Sequence, residues 1–210
     1  MLSDRNVIEE TKMTKIYVLI GKSGSGKDSF FEKLKGDEEL NLKTMVGYTT
    51  RPKRVHETEG VEYHFTDLEG LEEFRKNGMV IEERCYHTVH GDWYYFTTKD
   101  ENILKNIESD DKYIYIGTIE SFSDMKDYYG SEVVIPLYID VEDGERLARA
   151  LKRERKQDNP KYAEMCRRFL ADCEDFSEEN IEKAGISKKY ENMDFDKCLE
   201  EIREDIKKDM

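Results

Sequence analysis

The sequence is short of the residues that usually mark a secreted, membrane-bound or zinc-organised protein. Only three prolines, one tryptophan and four cysteines occur in 210 residues. No two of the cysteines form a CxxC pair of the kind that binds zinc. No apolar run approaches the length of a membrane span, and the first residues lack the apolar region of a signal peptide. We therefore expect a cytoplasmic protein with free thiols and no membrane partner.

Positive charge is also in short supply. The 48 acidic side chains outnumber the 34 lysines and arginines, which gives a formal net charge of −14. A general nucleic-acid binder needs an excess of basic side chains to neutralise phosphates, so we expect no nucleic-acid partner. Any phosphate site must be a local basic island in an acidic molecule. The chain length favours a single domain that can bury a core.

The most informative stretch begins at Ile16, where five apolar residues end abruptly at a glycine. Such a run predicts a buried strand, and residues 26–35 predict a helix. The loop between them fits the pattern G-x-x-x-x-G-K in the strand–loop–helix context that this motif requires. We therefore predict a phosphate-binding loop for ATP, made of Gly21, Lys22, Ser23, Gly24, Ser25, Gly26 and Lys27.

The chemistry of such a loop explains its spacing. Backbone N–H groups surround phosphate oxygens, and the positive end of the following helix points at the same place. Lys27 would put its charge on the β- and γ-phosphates, where charge shifts during transfer. The motif next requires Ser or Thr for Mg²⁺, but the chain has Asp28, followed by Ser29. Either Ser29 takes over that role, or the Asp28 carboxylate holds the metal or one of its waters.

A second basic cluster, residues 49–54, stands out in this acidic chain. Arg51 and Arg54 have guanidinium forks that suit bidentate binding of phosphate, and two threonine hydroxyls precede them. Tyr63 follows in a segment, 60–65, that predicts a strand, and its hydroxyl can donate to the same phosphate. We interpret this cluster as a second anion site, with an ordinary charged loop as the alternative.

Later segments predict more of the core and a third basic surface. Apolar runs at 113–116 and 133–139 predict buried strands, the second with Pro136, which is typical of an edge. In the helix that follows, Arg149 and Arg153 lie four residues apart and hence on one face. That face can close over a transferring phosphoryl group and neutralise it. A solvated helix face with glutamate partners is the alternative.

The chain resembles the guanylate kinase family of nucleoside monophosphate kinases from about residue 15 to the last helix. The resemblance depends on the order of five motifs, which are the P-loop, TTRPKR, EGVEYHF, VIE and VHGDWYY. The resemblance implies an α/β fold. A P-loop kinase core has a parallel sheet flanked by helices, and it has an inserted domain for the nucleoside monophosphate and a mobile helical lid. All lie in one domain, 1–210. The implied core is 15–46, 99–144 and 176–210, the GMP-binding insert 47–98, and the lid 145–175.

The resemblance also implies roles for residues of the insert. Glu82 would accept hydrogen bonds from the N1–H and amino groups of guanine, which favours guanine over adenine, because adenine presents an acceptor at N1. Thr97 would touch the base. The phosphate of GMP would contact Arg51, Arg54, Tyr63 and Tyr95, with Tyr94 left open as an alternative to Tyr95.

On the donor side, the resemblance implies that Asn192 lies beside the adenine of ATP. It also implies that Arg168, or Arg167 in its place, joins the lid arginines at the transferring group. The catalytic residues would then be Lys27, Arg51, Arg149, Arg153 and Arg168. Positioning and electrostatics supply the catalysis, because the acceptor phosphate is already an anionic nucleophile.

Two departures from the family pattern concern the base and the metal. Gly47 stands near a place that usually has a serine, and the strand ending at Gly117-Thr118 lacks the expected aspartate. We hypothesise that the acidic partner of the metal has moved to Asp28. The sequence predicts Mg²⁺- and ATP-dependent phosphorylation of GMP to GDP. The alternatives are another (deoxy)nucleoside monophosphate as acceptor, or a silent interaction module. The sequence leaves open whether the protein is a monomer or a homodimer.

Overall fold

The computed structural model describes residues 13–88 and 91–209, so the loose lead-in predicted for residues 1–14 lies almost wholly outside it. The strands are β1 Lys15–Ile20, β2 Lys43–Thr44, β3 Tyr48–Thr49, β4 His64–Phe65, β5 Val80–Thr88, β6 Gly91–Thr98, β7 Lys112–Ile116, β8 Val134–Asp140 and β9 Lys189–Glu191. The helices are α1 Lys27–Lys35, α2 Leu68–Lys76, α3 Glu101–Lys105, α4 Ile119–Tyr129, α5 Asp143–Glu154, α6 Tyr162–Asp175, α7 Glu178–Ala184 and α8 Phe195–Lys208.

A five-stranded sheet in the order β2-β7-β1-β8-β9 forms the core, and all its neighbouring strands run parallel. Successive side chains of β1 face opposite sides. Ile16 and Val18 join a layer with α4 and α7, whereas Tyr17 and Leu19 join a layer with α1 and α8. A strand buried on both faces reads as a continuous apolar run, which is what the sequence shows. The predicted α/β fold with helices on both faces of a parallel sheet is confirmed.

The far edge of this sheet was not visible in the sequence. Residues 187–190 are polar and form no apolar run, yet Lys189–Glu191 forms β9 and pairs with β8. Tyr190 is the buried residue of that strand, and the two lysines before it, Lys188 and Lys189, pair with carboxylates. Because β9 pairs with β8 only from Tyr138 onward, Pro136 lies where β8 has one neighbour. Strand β8 is not an edge strand, so the edge predicted from this proline is present only at the part of β8 that β9 does not reach.

Residues 47–98 form a second sheet, in the order β4-β3-β6-β5, with α2. Tyr48, Phe74 and Phe96 pack their rings together beside the buried Leu71. Antiparallel β5 and β6 pair along their length, with an irregularity after Val80. The strand predicted over 60–65 is shorter than expected, since only His64–Phe65 is extended and a turn precedes it. Its strands carry Glu82, Tyr95 and Thr97 of the predicted acceptor residues.

Helices α5 and α6 follow β8 and pack against each other. They coincide with the region predicted as the lid. Among the described residues, no helix combines the length and apolar character needed to cross a membrane.

Candidate functional site

The predicted phosphate loop lies between β1 and α1, at the carboxyl end of the central strand. A Cβ on Gly21 would lie 2.5 Å from the carbonyl oxygen of Ile139, so only glycine fits against β8 there. Gly26 has a φ of 96°, in the left-handed region that favours glycine. Lys27 folds back and donates to the carbonyl oxygens of Gly21 and Lys22. Loss of water around the ammonium group lowers the pKa of Lys27, and the nearby Asp28 carboxylate opposes that shift.

Asn192 supports this loop from beneath. Its side-chain nitrogen donates to the carbonyl oxygen of Ser25 at 2.8 Å, and its backbone N–H donates to Asp140 at 2.8 Å. The residue is buried, 3% exposed. Asn192 was predicted to lie beside adenine; the structure places its side chain against the phosphate loop.

A buried arginine that the sequence analysis did not single out joins the loop to the lid helices. Arg146 on α5 is 1% exposed and donates to Asp143, to the Ser23 carbonyl oxygen and to Asp172 on α6. The Asp172 carboxylate also accepts from the backbone N–H of Ser23 at 2.8 Å. Lys22 pairs with Asp143 at 3.1 Å. Helices α5 and α6 therefore contact the loop through an ion pair at Lys22 and hydrogen bonds at the backbone of Ser23.

Asp28 and Ser29 form the start of α1 and are both exposed. An open groove runs beside them and is lined by Asp28, Ser29, Glu32, Lys33 and Phe195. The structure thus places both predicted metal ligands next to the Lys27 side of the loop. A carboxylate and a hydroxyl are hard oxygen donors that suit Mg²⁺, and the open groove leaves room for its waters.

The three predicted lid arginines occupy different settings. Arg149 donates to Glu145 at 2.8 Å and to the Asn192 carbonyl oxygen at 3.2 Å, so it lies close to the support of the loop. Arg153 is exposed. Arg168 pairs with Glu164 on its own helix. Its neighbour Arg167 pairs with the same carboxylate, so the structure does not separate Arg167 from Arg168.

The second anion site is built around a buried ion pair. Arg51 is 3% exposed and donates through two nitrogens to Glu57, at 2.8 Å each. These bonds from Arg51 lower the pKa of Glu57 to about 2. Glu57 also accepts from the backbone N–H of Arg54, whose own side chain is 61% exposed. Sequence reasoning missed Glu57, although a carboxylate three residues after the second arginine was a visible signal.

Aromatic rings surround Arg51. Its guanidinium lies 5.4 Å from the ring centre of Tyr63, and its Nε donates to the Tyr95 hydroxyl at 3.1 Å. Tyr63 and Tyr95 meet edge to face, with ring centres 5.4 Å apart. The ring of Tyr94 instead lies against Arg75. Neighbouring strand residues point to opposite faces, so the structure places Tyr95, rather than Tyr94, beside Arg51.

Glu82 and Thr97 lie at the other end of this site. They are register partners on β5 and β6, and the Thr97 hydroxyl donates to Glu82 at 2.8 Å. Burial raises the pKa of Glu82 to about 7, while the bond from Thr97 opposes the rise. The predicted base-binding residues thus lie on β5 and β6, whereas Arg51, Arg54 and Tyr63 lie in the segment between β3 and β4.

Thr118 and Glu120, which follow the end of β7, have structural roles. Thr118 caps α4, because its hydroxyl accepts from the backbone N–H of Ser121. Glu120 pairs with Arg84 of β5 at 3.6 Å, and Arg84 also reaches Asp175 at the end of α6 at 3.2 Å. Arg84 therefore bridges the insert, a core helix and the lid helices.

A parallel sheet flanked by helices, a glycine-rich loop with its lysine between β1 and α1, and an arginine–tyrosine cluster beside a second sheet are features of nucleotide-binding proteins of the P-loop class. A family model described as Guanylate kinase matches residues 13–209. The chain belongs to the guanylate kinase family.

Curated proteins named guanylate kinase are also similar to this chain in sequence. The chain is 33% identical to one from Porphyromonas gingivalis over 122 residues, which is 58% of this chain and 63% of that relative. It is 29% identical to one from Mycoplasma genitalium over 160 residues, 72% of this chain and 60% of that relative. It is 24% identical to one from Malacoplasma penetrans over 202 residues, 91% of this chain and 98% of that relative. The first two matches thus span less than two thirds of the relatives' length.

A solved structure of guanylate kinase from Anaplasma phagocytophilum is similar in fold. The TM-score is 0.61 at 20% sequence identity, over 94% of this chain and 86% of that one. At 20% identity, this similarity shows only that the two proteins share a fold.

Proposed function

We propose that this protein transfers the γ-phosphoryl group of ATP to GMP, giving ADP and GDP. The observation that supports this most is the combination of two anion sites in one chain. One is the phosphate loop with Lys27, and the other is Arg51 ringed by Tyr63 and Tyr95. A kinase for a nucleoside monophosphate needs one such site for the donor and one for the acceptor phosphate.

In this proposal the donor phosphates bind the loop from Gly21 to Lys27 and the start of α1, where Asp28 and Ser29 stand. Backbone N–H groups and the Lys27 ammonium neutralise the β- and γ-phosphates. The adenosine end extends toward the groove that includes Phe195. Asn192 acts by holding the loop in shape.

Asp28 and Ser29 would hold Mg²⁺, directly or through its waters, since their exposed oxygen donors suit that ion. When bound, Mg²⁺ supplies positive charge that bridges and neutralises donor phosphate oxygens. Asp28 takes the place that the motif gives to a hydroxyl. We therefore expect Asp28→Ser to weaken Mg²⁺-supported turnover; unchanged activity and Mg²⁺ dependence would contradict this.

The acceptor phosphate binds at Arg51, Arg54 and Tyr63, with the Tyr95 hydroxyl completing the site. Arg51 is already fixed by Glu57, so the exposed Arg54 is the side chain that can move to the phosphate. The acceptor phosphate attacks directly, because it is already anionic. The lid arginines Arg149, Arg153 and Arg168 would then neutralise charge on the transferring group.

We further propose that residues 47–98 and 145–175 move relative to a core of 15–46, 99–144 and 176–210. Closing both over the two nucleotides would exclude water from the transfer and limit hydrolysis of ATP. We also propose the cytoplasm, where nucleotide substrates are found, as the site of action.

Glu82 supports guanine as the base. An ionised carboxylate accepts from two adjacent donors, and guanine offers N1–H and its amino group at that edge. The departure at Gly47 supports a second candidate, the same reaction with another (deoxy)nucleoside monophosphate. Retention of Lys27 and Arg51 counts against a silent interaction module.

The test is ADP release with ATP and Mg²⁺, offering GMP, dGMP, AMP, UMP and CMP separately. We expect turnover with GMP, its loss in Lys27→Ala, and no loss in the control Lys197→Ala, whose side chain is 86% exposed. Turnover with a different monophosphate would keep the reaction and overturn the base. ATP binding without turnover on any of the five would overturn the proposed reaction.

A further inference from the structure

Tyr115 extends the hydrogen bonds of Glu82 and Thr97 into the core sheet. It lies on β7, and its hydroxyl is 2.9 Å from the Thr97 hydroxyl, which in turn is 2.8 Å from Glu82. The three side chains come from β7, β6 and β5. In the sequence, Tyr115 is only one residue of the apolar run 113–116.

The direction of these bonds follows from the chemistry. An ionised carboxylate only accepts, so the Thr97 hydroxyl donates to Glu82. The single hydrogen of Thr97 is then in use, so the Tyr115 hydroxyl donates to the Thr97 oxygen, with the Glu82 carboxylate also within its reach. Successive hydrogen bonds polarise one another, so the tyrosine strengthens the bond that Thr97 makes to the carboxylate.

Tyr115 also fills the space beside Gly47. A Cβ on Gly47 would lie 3.4 Å from the Tyr115 hydroxyl oxygen and 3.7 Å from its ring carbon Cε2. These are ordinary van der Waals distances, so a serine at position 47 would lie in contact with the Tyr115 hydroxyl. Positions 47 and 115 are therefore direct neighbours.

We infer that Tyr115 is a specificity-determining positioning residue of the acceptor-base site, acting through Thr97 to keep Glu82 oriented and ionised. The inference rests on the proposed function, because it concerns the base that Glu82 reads. It adds a residue of the core sheet to a site otherwise carried by the insert.

Charged neighbours of Glu82 set the pH range in which its carboxylate is ionised. Burial raises the pKa of Glu82 to about 7, and Asp124 and Glu120 on α4 raise it further, whereas Thr97 and Arg84 lower it. Glu82 accepts from two guanine donors only when it is ionised. The KM for GMP should therefore rise as the pH falls through about 7.

The experiment compares Tyr115→Phe with Tyr113→Phe, a matched loss of one hydroxyl on the same strand, where Tyr113 faces Lys43. In Tyr115→Phe we expect the KM for GMP to rise about fivefold, the worth of one hydrogen bond, with kcat and the KM for ATP unchanged. In a plot of the KM for GMP against pH, the rise on the acidic side should begin about half a pH unit higher than in the wild type. Preference for GMP over AMP should fall by a similar factor.

A double-mutant cycle tests the contact with position 47. The effect of Gly47→Ser on GMP affinity should differ between the wild type and the Tyr115→Phe background, because the serine would contact the Tyr115 hydroxyl. Equal effects in both backgrounds would overturn this coupling.

The outcomes separate this inference from the proposed function. Calorimetric titration of GMP and AMP reports binding without turnover. Wild-type protein that binds GMP but does not phosphorylate it would refute the function alone. Tyr115→Phe with the same GMP affinity and pH dependence as Tyr113→Phe would refute the inference alone, and wild-type protein that binds neither nucleotide would refute both.

Discussion

Replacing Glu57 with glutamine tests the ion pair that holds Arg51. Both Arg51–Glu57 bonds are 2.8 Å long, and the two side chains are 3% and 5% exposed. Glutamine keeps the shape but leaves the guanidinium without its counter-charge. Breaking a buried pair in this way costs about 3 kcal/mol.

The pKa of Glu57 gives an independent magnitude. Its fall from 4.5 to about 2 corresponds to on the order of 3 kcal/mol at neutral pH. Solvent at the exposed Arg54 screens the pair, so we expect about 2 kcal/mol. Because the folded-state pKa is depressed, this stability is present above pH 4.5 and is lost as the pH falls through about 2.

Urea unfolding of wild type and Glu57→Gln at pH 7 is the assay. A loss of about 2 kcal/mol lowers the midpoint by roughly 1 M urea. Glu59→Gln is the control, since Glu59 lies in the same loop with its side chain 56% exposed. A midpoint for Glu57→Gln within about 0.2 M of the control would refute the claim that this pair stabilises the fold. We also expect the KM for GMP to rise, because Arg51 loses its fixed orientation.

Three further outcomes follow from the core and the loop. Arg146→Ala should cost about 3 kcal/mol in urea unfolding and weaken ADP binding in calorimetry, because it leaves Asp172 unpaired beside the loop; unchanged ADP affinity would contradict the second part. Asn192→Ala should raise the KM for ATP several-fold, with the KM for GMP unchanged, since the Ser25 carbonyl oxygen loses its buried donor at a cost of about 1–3 kcal/mol. Leu34→Ala should cost about 2–5 kcal/mol in urea unfolding, because this α1 side chain is 0% exposed, and a loss below about 1 kcal/mol would argue against tight packing there.

The parts predicted correctly from the sequence are those that depend on nearby residues. The apolar run at Ile16, the glycine spacing after it and the helix from Lys27 each follow from neighbours within a few positions. The local edge character of Pro136 follows from its missing N–H alone. Such features keep the same form whatever the rest of the chain does.

The parts that were missed depend on distant residues. Strand β9 is polar in sequence, since Lys189 and the preceding Lys188 pair with Glu178 and Asp205, and only the pairing with β8 makes this segment a strand. The sequence shows several arginines on α5, but helical periodicity does not predict which of them is buried. Arg146 is buried against Asp172, which is 26 residues away in the chain. Tyr115 looked like strand packing because its partner Thr97 belongs to the other sheet.

The Arg84 bridge has a thermodynamic consequence. One guanidinium touches Glu120 of the core and Asp175 of the lid helices, while its own strand also carries Glu82. Any shift of that strand on acceptor binding changes contacts on the donor side. By linkage, whatever factor the acceptor imposes on donor affinity, the donor must impose on acceptor affinity. The two substrates would then not bind independently, and the order in which they are added would change the path to the ternary complex but not its stability.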